Sequence, residues 1–162
     1  MNPSVNNTRT IIESTLQGNK AFRKIEEDLY VIKQGSSIVM INVVEWDSDR
    51  AILRCVAQLV QGVQMKPELA LQLLRLNSIL RFGSFAYVDD GQLVVFLHSI
   101  LGGEALQPEE LLVIIRDIAL IADEWDDKII SRFGGQRMQD LLETSAQKQI
   151  FKCNADSFVW EK

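Results

Sequence analysis

LYVIKQGSSIVMINVVEWDSDRAILRCVAQLV, residues 29–60, is the stretch that decides the fold. Its β-branched residues fall into three runs, Leu29 to Lys33, Ile38 to Trp46 and Ala51 to Val60. Only Gly35-Ser36-Ser37 and Asp47-Ser48-Asp49 separate them, and both separators have turn chemistry. Connections this short join antiparallel neighbours only. The stretch therefore predicts a three-strand meander. Ferredoxin-like packing, the main rival, expects a helix after the first strand and so is disfavoured.

Downstream, Pro67-Glu68 opens a helix to Leu80, because proline in the first turn loses no helical hydrogen bond and the carboxylate meets the positive helix end. Phe82 to Val88 and Gln92 to Ser99 flank Asp89-Asp90-Gly91, and an Asp-Gly pair between apolar runs signals a hairpin. A long helix then starts at Pro108-Glu109-Glu110 and reaches Phe133, where Gly134-Gly135 stop it. Upstream, Thr10-Ile11-Ile12-Glu13 has capping-box form and predicts a first helix from Thr10 to Gln17, ended by Gly18. The order is α-β-β-β-α-β-β-α. It predicts an α+β fold with a mainly antiparallel five-stranded sheet backed by the second and third helices, the first helix lying at an edge. The expected organisation is a flexible N-terminus over 1–8, one domain over 9–134, and a short helix (Met138 to Thr144) and tail over 135–162. That tail carries Ile150, Phe151, Phe158, Val159 and Trp160, more apolar surface than a free tail normally bears.

The Pro67 to Leu80 helix has two apolar stripes, although a helix on one sheet needs one. Leu69, Leu73, Leu76 and Leu80 form the first; Ala70, Leu71 and Leu74 form the second. The surplus stripe predicts a protein contact. On the last helix, Leu111, Ile115, Ile118, Ala122, Trp125, Ile129 and Phe133 make the inward stripe. Val113 and Leu120 sit on the opposite side among charges and, with Phe158 and Trp160, are candidate partner-binding residues.

The chain has 162 residues, 47% of them apolar, which suits one domain with a proper core. Its net charge of −5 disfavours nucleic acid and anionic membrane as partners, since both need clustered Lys and Arg. No signal peptide or membrane span is read in it, so a cytoplasmic location is expected. Cys55 and Cys153 make neither a disulfide framework nor a zinc site, and Cys55 reads as a small buried hydrophobe.

Little points to catalysis. The single histidine, His98, lacks any motif placing a nucleophile beside it and reads as structural. Asp123 and Asp127, four apart on a helix, could share a cation, but no second carboxylate motif completes the ligand set; a solvated polar face explains them. Gly102-Gly103 and Gly134-Gly135 lack the lysine and spacing of phosphate loops and read as helix punctuation. No metal, cofactor or catalytic residue is predicted.

This order of elements, with the Asp90-Gly91 hairpin, the Pro-Glu helix starts and the Leu-rich second helix, resembles the type III secretion chaperone-like fold over roughly Thr10 to Phe133. Within it, the chain is most similar to the YbjN-like family of small bacterial proteins. The resemblance implies a non-enzymatic, cytoplasmic homodimer that holds protein clients. It also implies that the second helix forms the dimer, with Ala70, Leu71 and Leu74 at the contact. A small-molecule-binding protein and a structural subunit of a larger assembly are the alternatives.

Overall fold

The computed structural model describes residues 2–35 and 37–138. The meander is β2 (Leu29–Gln34), β3 (Ser37–Glu45) and β4 (Ala51–Gln61), paired antiparallel in sequence order with Ile32 opposite Val39 and Ile41 opposite Cys55. A preceding strand, β1 (Phe22–Glu26), pairs with β2. The hairpin strands β5 (Ser84–Val88) and β6 (Leu93–Leu101) join through β6 to the free side of β4, giving the order β1-β2-β3-β4-β6-β5. A two-residue strand, β7 (Gln136–Arg137), pairs with the end of β4 at Val60 and Gln61. The sheet thus has seven strands instead of the expected five. Phe-Arg-Lys-Ile-Glu of β1 carries too few apolar residues to signal a strand, and two residues are too short to show a period.

Alternation sets the two faces of this sheet. Val39 and Ile41 of β3, Leu53, Cys55, Ala57 and Leu59 of β4 and Phe96 of β6 are buried on one face. The 26-residue α3 (Pro108–Phe133) crosses that face over β3, β4 and β6, burying Leu111, Ile115, Ile118, Ala122 and Ile129. At about 1.5–3 kcal/mol for each large aliphatic buried, this stripe is the main attachment of helix to sheet. α2 (Pro67–Asn77) lies against β5 through Leu69 and Leu73. It stops three residues short of Leu80.

The first helix, α1 (Pro3–Leu16), departs most from expectation. Residues 3–8, expected in a flexible terminus, are helical, with Val5 and Thr8 buried. The cap is Asn2, not Thr10: its side-chain oxygen accepts from Ser4 N–H and Val5 N–H, with Pro3 as the first helical residue. The Asn2 Nδ2 also donates to Asp47 O at 2.7 Å, anchoring the helix start on the β3–β4 turn. Thr10 instead donates to Asn6 O within the helix, and Glu13 pairs with Lys24 and accepts from Tyr30 Oη. Nor does α1 lie at an edge. It packs on the central strands β3 and β4, beside α3.

Gly102 and Gly103 are contact points between α1 and the loop after β6. A Cβ on Gly102 would overlap Thr8 Oγ1, and one on Gly103 would overlap Ser4 Oγ. Gly103 also has φ +68°, a conformation that favours glycine. Its N–H donates to Thr8 Oγ1 at 2.6 Å.

Candidate functional site

Among the described residues, three apolar surfaces lie outside the packing of helices on the sheet. The first is on α2, where Leu69 and Leu73 are buried whereas Leu71 and Leu74 are 48% and 66% exposed. Ala70 beside them is half-buried. Just past the helix, Ile79 is 76% exposed. The geometry keeps the two predicted stripes distinct, one spent on the sheet and the other facing out.

The second surface is on α3. Val113 and Leu120 are exposed as their wheel positions require, and Leu112 is exposed beside them. Phe158 and Trp160 lie outside the described residues, as does most of the helix expected over Met138 to Thr144.

The third surface is the sheet face opposite the helices, which sequence reasoning missed. It forms a trough of about 660 Å³ whose floor includes Val56, Val95, Leu97 and Ala86. Arg54 stands within it, in a cross-strand row with Asn42 and Ser99. Arg54 has no ion-pair partner among the described residues. Glu26 and Asp28 line its β1–β2 end. A signal existed: Leu93 to Leu97 is an unbroken apolar run, the composition of a strand that is apolar on both faces.

The residues weighed for chemistry have other occupations. Register places His98 opposite Cys55, so their side chains share the helix-covered face. Cys55 is fully buried, and burial pushes its thiol up to about 12, the reverse of an activated nucleophile. His98 Nδ1 accepts Gly83 N–H at 2.9 Å, and the ring meets Phe82 edge-on. The acidic group on α3 is more than a solvated face. Asp126 is 6% exposed, its Oδ2 lies 3.0 Å from Arg137 Nε, and Arg137 also pairs with Asp127. These contacts tie β7 to α3. Glu124 pairs with Lys128 one turn on. Among the described residues, no group of three or more His, Cys, Asp and Glu side chains is placed to hold a metal ion.

At the other end of the sheet, Arg9 forks onto Asp28 through Nε and Nη2 and reaches Glu27 through Nη1. The Asp28 carboxylate raises the guanidinium's pKa further. The Lys24 ammonium and the Tyr30 hydroxyl hold the Glu13 carboxyl below its ordinary range. Burial, followed by that same Glu13 contact, raises the Tyr30 phenol. This cluster fastens α1 to β1 and β2. Among the described residues, no helix is long and apolar enough to cross a membrane.

Comparison with known proteins agrees with this architecture. The family model TY-Chap1, "T3SS (YopN, CesT) and YbjN peptide-binding chaperone 1", matches residues 6–141. A crystal structure of the ExsC-ExsE complex superposes with a TM-score of 0.58 at 16% identity, covering 78% of this chain and 96% of that one. At that identity the likeness is one of fold. A comparison with curated protein sequences finds no match. The fold, with α3 and the meander in their expected places, and a family match over most of its length together establish that the chain belongs to the type III secretion and YbjN peptide-binding chaperone family.

Proposed function

We propose that the chain is a cytoplasmic, non-enzymatic homodimer that binds protein segments as a chaperone or regulatory module. The observation that carries this reading is the outward stripe of α2, where Leu71 and Leu74 are 48% and 66% exposed on a helix already anchored by its other face. A second copy of the stripe is the occupant that matches it in shape and chemistry, in an isologous contact of the kind twofold dimers use. Ala70 allows close approach between the two helices. Burying two leucines on each protomer is worth several kcal/mol at about 1.5–3 kcal/mol each, enough to favour association against its entropic cost. Leu71→Glu with Leu74→Glu should give a folded monomer by light scattering. An unchanged dimer, or a monomeric parent chain, would sink the dimer.

Val113 and Leu120 are proposed to contact the client. Their place on the outer face of α3 leaves them free when α2 is occupied, so assembly and binding use separate surfaces. Family membership supports a peptide as ligand. The net charge of −5 argues against nucleic acid. Val113→Asp with Leu120→Asp should weaken binding to a reduced, carboxymethylated and hence permanently unfolded protein, leaving the dimer intact. Equal binding by parent and variant would remove α3 from the site. Affinity purification from the native host should return a shifting set of clients; a single stoichiometric partner would instead indicate a subunit of a larger assembly.

A further inference from the structure

We propose that the outer face of α3 docks a basic amphipathic helix of the client, with Val113 and Leu120 against its aliphatic stripe and Asp117, Asp123 and Glu124 against its flanking lysines or arginines. The inference rests on the client-binding reading of this face and adds the class of segment that it selects. Folding leaves the two aliphatics without a task. α3 packs on the sheet through Leu111, Ile115, Ile118, Ala122 and Ile129, whereas Val113 and Leu120 on its other side are 45% and 59% exposed.

Spacing selects a helix as the occupant. Val113 is followed four residues later by Asp117, and Leu120 by Glu124, so an aliphatic and a carboxylate recur together after seven residues. On α3 the two aliphatics stand two turns apart on one face, about 10 Å along the axis. A partner helix whose aliphatics also recur every seven residues stays in register with them, as in a coiled coil. An extended segment does not, because its side chains on one side fall at about 7 Å and about 14 Å.

Charge selects a basic one. Between Val113 and Glu124 the one cation is Arg116, against Asp117, Asp123 and Glu124. Asp117 and Asp123 have no ion-pair partner among the described residues, and Glu124 pairs with Lys128 on α3 itself. The exposed charges around α2 have the opposite balance, Lys66, Arg75 and Arg81 against Glu68. A basic segment is therefore drawn to α3 and repelled from α2. Two aliphatic anchors alone discriminate little, so the carboxylates decide which segment binds.

The test is fluorescence anisotropy on the full chain with three synthetic peptides of about three heptads. The first carries one leucine stripe flanked by lysines, the second has glutamate at each lysine, and the third scrambles the first so that no stripe remains. The lysine peptide should bind about tenfold or more tighter than either of the others, and its affinity should fall as salt rises. Asp117→Lys with Asp123→Lys should reverse the preference between lysine and glutamate peptides. Val113→Asn with Leu120→Asn should reduce the lysine peptide to the level of the scrambled one. If the charge reversal does not fold by circular dichroism, Asp117→Asn with Asp123→Asn reads the same contact and should weaken the lysine peptide about threefold or more. Equal binding of the lysine and glutamate peptides, a preference that survives reversal, or equal binding of the scrambled peptide each overturns the proposal. In those cases, loss of the carboxymethylated protein in Val113→Asp with Leu120→Asp would keep α3 as a client site and refute its selectivity alone. Self-association that persists in Leu71→Glu with Leu74→Glu but disappears in Val113→Asn with Leu120→Asn would give this face to a second copy and likewise overturn the proposal.

Discussion

The side-chain amide of Asn77 is hydrogen-bonded to both backbone groups of Phe85, accepting its N–H at 2.7 Å and donating to its carbonyl at 3.2 Å. Asn77 is the last residue of α2, and Phe85 sits on β5, the strand at the end of the sheet. A neighbouring strand would use these same two groups, so the amide closes the edge as a strand residue would. It also fixes the distance from α2 to β5. Asn77→Ala should cost about 1–3 kcal/mol in urea unfolding, at about 0.5–1.5 kcal/mol for each lost bond. It should also raise self-association in light scattering. A stability loss without new association would show that the amide fixes α2 without protecting the edge.

Gly102 and Thr8 make the second dependence. Gly102→Ala drives a methyl into Thr8 Oγ1 while Ala51 Cβ stands 3.2 Å away. Overpacking of this sort costs about 1–3 kcal/mol. Because Thr8 Oγ1 is the closest obstacle, Thr8→Ala should recover part of that loss, although alone it removes the bond from Gly103 N–H. A double-mutant cycle should therefore be non-additive. Additive losses would mean that Ala51, and not Thr8, sets the tolerance.

The meander, the Asp90-Gly91 hairpin and α3 were legible because each rests on a local rule: a short turn, a two-residue hairpin signal, an unbroken inward stripe. The outward stripe of α2 was legible for the same reason, since a wheel needs no knowledge of the sheet. What was not legible depends on distant partners. Asn2 caps α1, but Asn6-Asn7-Thr8 reads as loop unless Thr8 is known to meet Gly102 and Gly103. Phe22 is apolar among charged neighbours and makes sense once it stacks on Tyr30, with ring centres 5.7 Å apart. Asp126 is a carboxylate in the same acidic stretch as Asp123 and Asp127, and nothing local separates it from them before Arg137 stands against it. The trough is hidden differently: Val56 and Leu97 fall within strand runs whose pattern does not say which face the helices take.

Arg137 supplies a third test. Its guanidinium bridges Asp126, whose side chain is 9% exposed, and Asp127, whose side chain is 72% exposed. Arg137→Ala leaves a nearly buried carboxylate without this cation, a larger loss than for a surface pair. The expected cost is about 1–3 kcal/mol, with faster amide hydrogen exchange at Gln61, whose strand partner is Gln136. Arg137→Lys should restore less than half, because one ammonium cannot replace a planar fork across two carboxylates. Full restoration by lysine would reduce the contact to simple charge.

Cys55 provides the pH test. Burial holds the folded thiol up at about 12, against 9.0 for the free group. Between those values the unfolded chain releases the proton and the folded chain keeps it. The folded state therefore binds more protons, and stability falls as pH rises. The contribution is fully present below about pH 9 and is lost progressively toward pH 12. Tyr30, also raised by burial, acts in the same direction from its ordinary value of 10.0 upward. The urea midpoint should thus decline from pH 8.5 to 10.5. Cys55→Ala removes the thiol from a face that it shares with Leu53 and Ala57, so it should lower stability at pH 7 and flatten that decline, most clearly below pH 10, where Tyr30 has yet to contribute. A decline equally steep in Cys55→Ala would place its origin elsewhere.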